Sequence, residues 1–204
     1  ITIVVSDEVG NESQCSAPLT VVDTTPPVIL SCPGAAALSA DDTCRAALPD
    51  FRSQVSAIDN CTSNEDLSVS QEPVPGTYIG AGNTEVILTV SDGAANMSAC
   101  TVIITVVDTT PPVILSCPEA TALSAESTCQ ATLPDFRRQV SVIDNCTLVE
   151  ELLVTQEPLA GTPASAGNTE VALTVTDAAG NMDQCTILVT VVDTTPPVIT
   201  YRSE

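Results

Sequence analysis

Apolar residues come in short runs along this chain: PVILSC, AALSA, RAALPDF, DLSVSQEP, EVILTVSD and CTVIITVVD between residues 27 and 108, each bounded by Pro, Gly, Asn or Asp. Runs this short, rich in Val, Ile and Thr and punctuated by turn residues, predict strands of a β-sandwich and not helices. EVILTVSD and CTVIITVVD, joined by GAANMSA, read as a hairpin. In a second occurrence of the pattern the turn becomes DAAGN, where Gly180 suits a positive φ. Pro26 and Pro27 cannot donate to a ladder, so they fit the entry to an edge strand.

The same pattern recurs at a fixed period. Asp23, Asp108 and Asp193 open three copies of VVDTTPPVI spaced 85 residues apart, and residues 23–107 align on 108–192 without a gap at 58 identical positions of 85. Identity at that level marks two copies of one domain. Residues 1–22 fit the register as the last strands of a preceding copy, and residues 193–204 as the start of a following one. The expected organisation is a window on a longer array, continuing upstream of Ile1.

Charge narrows the class. The chain holds 26 acidic residues against 5 basic ones, all Arg, and no His, for a net charge of −21, yet 44% of it is hydrophobic. That is too apolar for simple disorder. Nucleic acid is excluded as a partner, because phosphate binding needs clustered Lys and Arg. No run approaches the ~20 apolar residues of a spanning helix, so no membrane insertion is expected in this segment, and no signal peptide opens it.

Nine cysteines are present, four per repeat plus Cys15. A thiolate metal site is the rival reading, but there is no His and no C-x-x-C. Disulfides follow, and with them an oxidising, extracellular or cell-surface location. Cys15 is left over, its partner expected upstream; the later copy carries Arg202 where Cys32 and Cys117 stand. Without His or Lys there is no Ser–His or Cys–His couple and no Schiff-base amine, so the chain is not read as an enzyme. A carboxylate pair could serve glycoside hydrolysis, but a catalytic pair seldom recurs in every unit of an array.

The order DTTPPVI-x-x-CP, C-x-A-x-LPDF, V-x-x-IDNC, a Gly-Asn-Thr-Glu-Val strand, TD-x-AGN and CT-x-x-VTVVD resembles the hyalin repeat (HYR) domain family, across both full repeats and both fragments. The resemblance implies an all-β fold of tandem immunoglobulin-like sandwiches, extracellular and associated with adhesion. Four cysteines per repeat allow three pairings, which spacing does not decide. Two-cysteine members of the family keep the first and last, implying Cys32 with Cys100 and Cys117 with Cys185, which leaves Cys44 with Cys61 and Cys129 with Cys146. On a chain-entropy argument the longer loops stabilise by about 4 kcal/mol and the shorter by about 3 kcal/mol. Such support matters in a domain with only Phe51 or Phe136 as a large aromatic core candidate.

In that topology the linker, one loop and the last hairpin turn gather at one end. The expected calcium ligands are then Asp23, Asp50, Asp59, Asp92 and Asn96 in the first repeat, and Asp108, Asp135, Asp144, Asp177 and Asn181 in the second. Calcium takes six to eight oxygens from such groups and would relieve self-repulsion. The competing reading is that these residues only build Asx turns. N-x-[ST] sequons at Asn11, Asn60, Asn96 and Asn145 are candidate glycosylation sites, and the Thr-Thr-Pro-Pro linkers candidates for O-linked sugar.

Two successive prolines favour an extended path with a restricted angle between sandwiches. The sequence therefore predicts a stiff rod or fibre advancing roughly 35–45 Å per repeat, structural or adhesive, partnered by further repeats of the same chain and by self-association into fibres. The alternative is a receptor-like module recognising a protein or glycan. It would use the divergent loop VPGTYIGAG against LAGTPASAG, where Tyr78 aligns with Pro163, although such divergence is the ordinary behaviour of loops.

Overall fold

The computed structural model describes residues 1–199 and is built from strands with three short 3-10 turns. Arg202 lies outside the described residues. The strands preceding the first repeat are β1 (Thr2–Ser6) and β2 (Glu12–Ser16). The first repeat holds β3 (Val28–Ser31), β4 (Ala36–Ser39), β5 (Arg45–Ala47), β6 (Ser56–Ile58), β7 (Ser68–Glu72), β8 (Tyr78–Gly80), β9 (Gly82–Ser91) and β10 (Met97–Val107). The second holds β11 (Val113–Ser116), β12 (Thr121–Ser124), β13 (Gln130–Thr132), β14 (Ser141–Ile143), β15 (Leu153–Glu157), β16 (Pro163–Ser165), β17 (Gly167–Thr176) and β18 (Met182–Val192).

The chain divides into two compact units that do not follow the sequence period. One comprises Ile1–Ala35, Leu48–Thr77 and Glu85–Ile103; the other comprises Ala36–Ala47, Tyr78–Thr84 and Ile104 onward. The second unit therefore contains the whole second repeat together with β4, β5 and β8.

Within the second repeat a four-stranded sheet runs β12-β18-β17-β15, with β12 parallel to β18 and the other neighbours antiparallel. Alternation fixes its faces: Val171, Leu173 and Val175 of β17 and Ile187, Val189 and Val191 of β18 are all at most 2% exposed, and their neighbours in sequence point outward. Two short antiparallel ladders, β13–β16 and β11–β14, cover that face. The first contributes Ala131 and Ala164, joined by Leu133 and Phe136 from the segment that follows β13. The second contributes Val142, which packs with Leu152 and Val175. This is the immunoglobulin-like β-sandwich, all-β and disulfide-bonded, and it occurs twice in tandem.

Pairings of the first repeat match position for position. β3 pairs β6 and β7 pairs β9 in the first unit; β5 pairs β8 and β4 pairs β10 in the second. Ahead of them β1 and β2 form an antiparallel hairpin with Ile3 opposite Cys15. Its apolar side chains Ile3, Val4 and Val5 are exposed. The hairpin turn is the same device in all three copies. Asp7 accepts from the Asn11 side chain, as Asp92 does from Asn96 and Asp177 from Asn181.

Gly180 sits in that turn at φ +92°, and its first-repeat counterpart, Ala95, is forced to φ +69°. A Cβ is disfavoured there. Ala95→Gly is accordingly expected to stabilise the chain by about 1 kcal/mol, read as a rise in the urea midpoint.

Candidate metal centre and junction disulfide

Three aspartates from three separate elements meet in each repeat. In the first repeat one carboxylate oxygen each of Asp23, Asp59 and Asp92 lies within 4.8 Å of the others, and Asp108, Asp144 and Asp177 repeat the arrangement in the second. Asp23 and Asp108 come from the proline-rich linkers, Asp59 and Asp144 follow β6 and β14, and Asp92 and Asp177 follow the long strands β9 and β17.

Each carboxylate also builds its own turn, as the competing reading holds. Asp23 Oδ1 accepts from the Thr25 amide at 3.0 Å. Asp59 Oδ2 accepts from the Cys61 and Thr62 amides at 2.9 and 3.0 Å. Asp92 takes the Ala94 and Asn96 amides on Oδ1 and the Asn96 side chain on Oδ2. The turns leave something over. Asp23 Oδ2 and Asp59 Oδ1 are buried without any hydrogen-bond partner, and so are Asp108 Oδ2 and Asp144 Oδ1. Buried carboxylate oxygens facing other carboxylates are costly unless a cation or donor reaches them. Burial pushes the Asp92 carboxyl up, yet hydrogen bonds from the Asn96 side chain and backbone and from Ala94 outweigh it and hold the group below the ordinary carboxylate range. The residues thus fit a hard, oxygen-loving divalent cation.

Asp50 and Asp135 do not belong to this set, which corrects the ligand list read from sequence. Each is claimed by the arginine two residues on, through a two-pronged ion pair: Asp50 with Arg52 at 2.7 Å and Asp135 with Arg137 at 2.8 Å. The arginine hydrogen bonds hold both carboxyls at about 2. Asn96 and Asn181 are at the site but as donors, each also reaching the linker carbonyl of Asp23 or Asp108.

One residue of each repeat belongs to the site without being singled out by the sequence. Thr62 and Thr147 each accept through Oγ1 from a hairpin-turn amide, Gly93 and Ala178 respectively, both at 3.1 Å, and so tie the Asp59 or Asp144 loop to the turn of Asp92 or Asp177. In the sequence both threonines stand out only as the third residue of a sequon. The sequon asparagines differ in access. Asn145 donates to the Asp41 carbonyl at 3.0 Å and Asn96 is engaged as above, whereas Asn60 and Asn11 are exposed.

The cysteines require a second correction. Cys32–Cys100 and Cys117–Cys185 are bonded, each across 68 residues. In place of Cys44–Cys61 and Cys129–Cys146 there is a single bond, Cys44–Cys146, with Cα atoms 4.8 Å apart. Topology supplies the reason. Cys129 precedes β13, which pairs with β16, whereas Cys146 follows β14, which pairs with β11, so cysteines close in sequence belong to different ladders. Cys44 is held at φ +58° by the turn whose Cys44 amide donates to the Asp41 carbonyl. The bond ties a first-repeat turn to the second-repeat loop that carries Asp144, all within the second unit. Cys15, Cys61 and Cys129 are exposed and unpaired. Burial, and then the charges of Asp23, Asp59 and Asp92, push the Cys61 thiol up.

The family model described as the HYR domain matches residues 22–106 and 107–191. The chain is 30% identical over 210 residues to hyalin of Strongylocentrotus purpuratus, matching 100% of this chain and 17% of that protein. It is 29% identical over 201 residues to hyalin of Lytechinus variegatus, matching 96% of this chain and 37% of that protein. Among solved structures, immunoglobulin domains 1–4 of Sidekick-1 give a TM-score of 0.44 at 13% identity, covering 93% of this chain and 57% of that one. Drosophila N-cadherin EC1-4 gives 0.42 at 12% identity, covering 83% and 50%.

Proposed function

Because the chain belongs to the HYR domain family, we propose that it is a stretch of an extracellular structural or adhesive protein whose tandem sandwiches form a stiff rod or fibre, made rigid by calcium at the aspartate triads. The observation that carries this reading is the set of buried, unpartnered oxygens on Asp23, Asp59, Asp108 and Asp144. A linker aspartate, a loop aspartate and a hairpin aspartate would share one ion, so calcium binding would lock the proline joint to the sandwich that follows it. The remaining coordination would come from carbonyls and water. A glycan would attach most readily at the exposed Asn11. No helix among the described residues is long and apolar enough to cross a membrane, and the disulfides fit an oxidising setting outside the cell.

Calcium at a hundredfold excess over its dissociation constant is expected to add about 2.7 kcal/mol to the stability of each repeat, one site in each. Asp59→Asn together with Asp144→Asn is expected to abolish that increment. Asp50→Asn and Asp135→Asn should leave it intact, because those carboxylates serve arginines. Denaturant melts with calcium and with chelator read the increment, and small-angle scattering on the same samples reads the joint. A chain whose melts and scattering both ignore calcium would remove the metal from this account.

A further inference from the structure

The Cys44–Cys146 bond does not stand alone. Beside it the Asn145 side chain donates to the Asp41 carbonyl at 3.0 Å, and Thr109 Oγ1 of the linker donates to Ser39 Oγ at 3.2 Å. One face therefore consists of Ser39, the Asp41 carbonyl and Cys44, and the face that meets it consists of Thr109, Asn145 and Cys146. Both faces occur a second time in the chain, shifted by the 85-residue period. Ser124, the Glu126 carbonyl and Cys129 repeat the first face; Thr24, Asn60 and Cys61 repeat the second.

The copies agree in backbone as well as in residue type. Cys129 has the same φ of +58° as Cys44, and its amide donates to the Glu126 carbonyl at 2.9 Å as the Cys44 amide does to Asp41 at 3.0 Å. The Cys61 amide donates to Asp59 Oδ2 and the Cys146 amide to Asp144 Oδ2, both at 2.9 Å. Replacing Asp41 by Glu126 loses the carboxylate's bonds from Thr43 and Arg45 but keeps the main-chain turn and its carbonyl, the group that Asn145 uses on Asp41. Both unpaired thiols are exposed.

We propose that Cys129 and Cys61 are the open ends of a continuous inter-repeat staple: Cys129 bonds the cysteine at the Cys146 position of another repeat of this kind, and Cys61 bonds the cysteine at the Cys44 position of another. The complementary repeat comes either from the same chain or from a second copy. Each bond joins two sulfurs with loss of two protons and two electrons. A small-molecule disulfide such as oxidised glutathione takes them and leaves as two thiols. The pairing is selective because a thiol is delivered only when the hydroxyl and amide contacts beside it are also made. Every repeat would then carry one bond within itself and one to each neighbour, independently of any metal.

The test uses the 204-residue chain and the same chain lengthened by a second copy of residues 108–192 joined after Val192, the appended copy carrying the exposed changes Ser127→Thr and Leu148→Val so that its Cys129 and Cys146 peptides differ in mass from the originals. Both are refolded in a glutathione redox buffer, alkylated, digested without reduction and mapped by mass spectrometry. The expected result is Cys44 linked to Cys146 in both chains, and Cys129 linked to the appended copy of Cys146 in the longer one. That linkage within a monomer identifies supply from the same chain. Reducible oligomers of the 204-residue chain, lost on either Cys61→Ser or Cys129→Ser, identify supply from a second copy and also support the proposal. It is overturned if Cys44 is not linked to Cys146 or if Cys129 pairs with Cys146 of its own repeat. It is likewise overturned if Cys129 stays alkylated in the longer chain while the shorter one forms no such oligomers.

Discussion

Replacing Cys117 and Cys185 together by alanine is expected to destabilise the second repeat by about 4 kcal/mol, the chain-entropy value for a loop of this length. The bond spans 68 residues, from just after β11 to the middle of β18, and so closes nearly the whole sandwich into one loop. Both sulfurs also pack against the main core cluster, so the substitution removes contacts along with the cross-link. That core has little to spare. Phe136 is its only aromatic member, and three of its ten buried residues are alanines. A small sandwich with so modest a core sits close to the total stability that ordinary domains possess. Urea unfolding of the double variant, followed against the parent under non-reducing conditions, measures the loss. A loss below about 1 kcal/mol in the double variant would mean that packing, and not the covalent tie, holds first strand to last.

The difference between the two kinds of disulfide shows where the sequence stops being informative. The period, the hairpins and the buried faces of β17 and β18 were legible because each depends on neighbours a few residues away: alternation for the faces, Asp-to-Asn spacing for the turns. Cys44–Cys146 depends on a meeting 102 residues apart. Nothing local distinguishes Cys61 from Cys146 as a partner for Cys44, because their flanking residues are alike, Asp-Asn-Cys-Thr in both. A repeat hides its own neighbour relations: identical letters serve a bond made within one copy and a bond made to the next.

The acidic residues divide by the same logic. Asp23, Asp59 and Asp92 have no cation nearby in sequence, and they converge. Asp50 and Asp135 each have an arginine two positions on, and the pair closes locally. The Asp-Phe-Arg spacing weighs against a metal role, because a carboxylate already forked to a guanidinium has no free oxygen to offer.

Gln156→Leu is expected to cost about 3 kcal/mol or more, although it swaps one side chain for another of similar size. Gln156 is 3% exposed on β15. Its Oε1 accepts from the Phe136 amide at 2.9 Å, while its Nε2 donates to the carbonyls of Pro134 and Pro158, both at 3.1 Å. The LPDF segment bends here between a strand and a 3-10 turn, so the Pro134 carbonyl and the Phe136 amide have no ladder to join, unlike Leu133, which still bonds to Gly161 and Thr162. One amide side chain satisfies all three. Leucine would leave a donor and two acceptors unpaired next to Leu133 and Phe136, and each buried orphan costs about 1–3 kcal/mol. Gln71 repeats the device in the first repeat, accepting from the Phe51 amide and donating to the Pro49 carbonyl. Hydrogen exchange adds a local readout to the denaturation curve: the Phe136 amide should exchange far faster in Gln156→Leu, while the amides of β18 should follow only the global change. A variant that loses stability with the Phe136 amide still protected would place the damage in packing and not in this bridge. A variant that keeps its stability would mean the LPDF bend holds its shape without the glutamine.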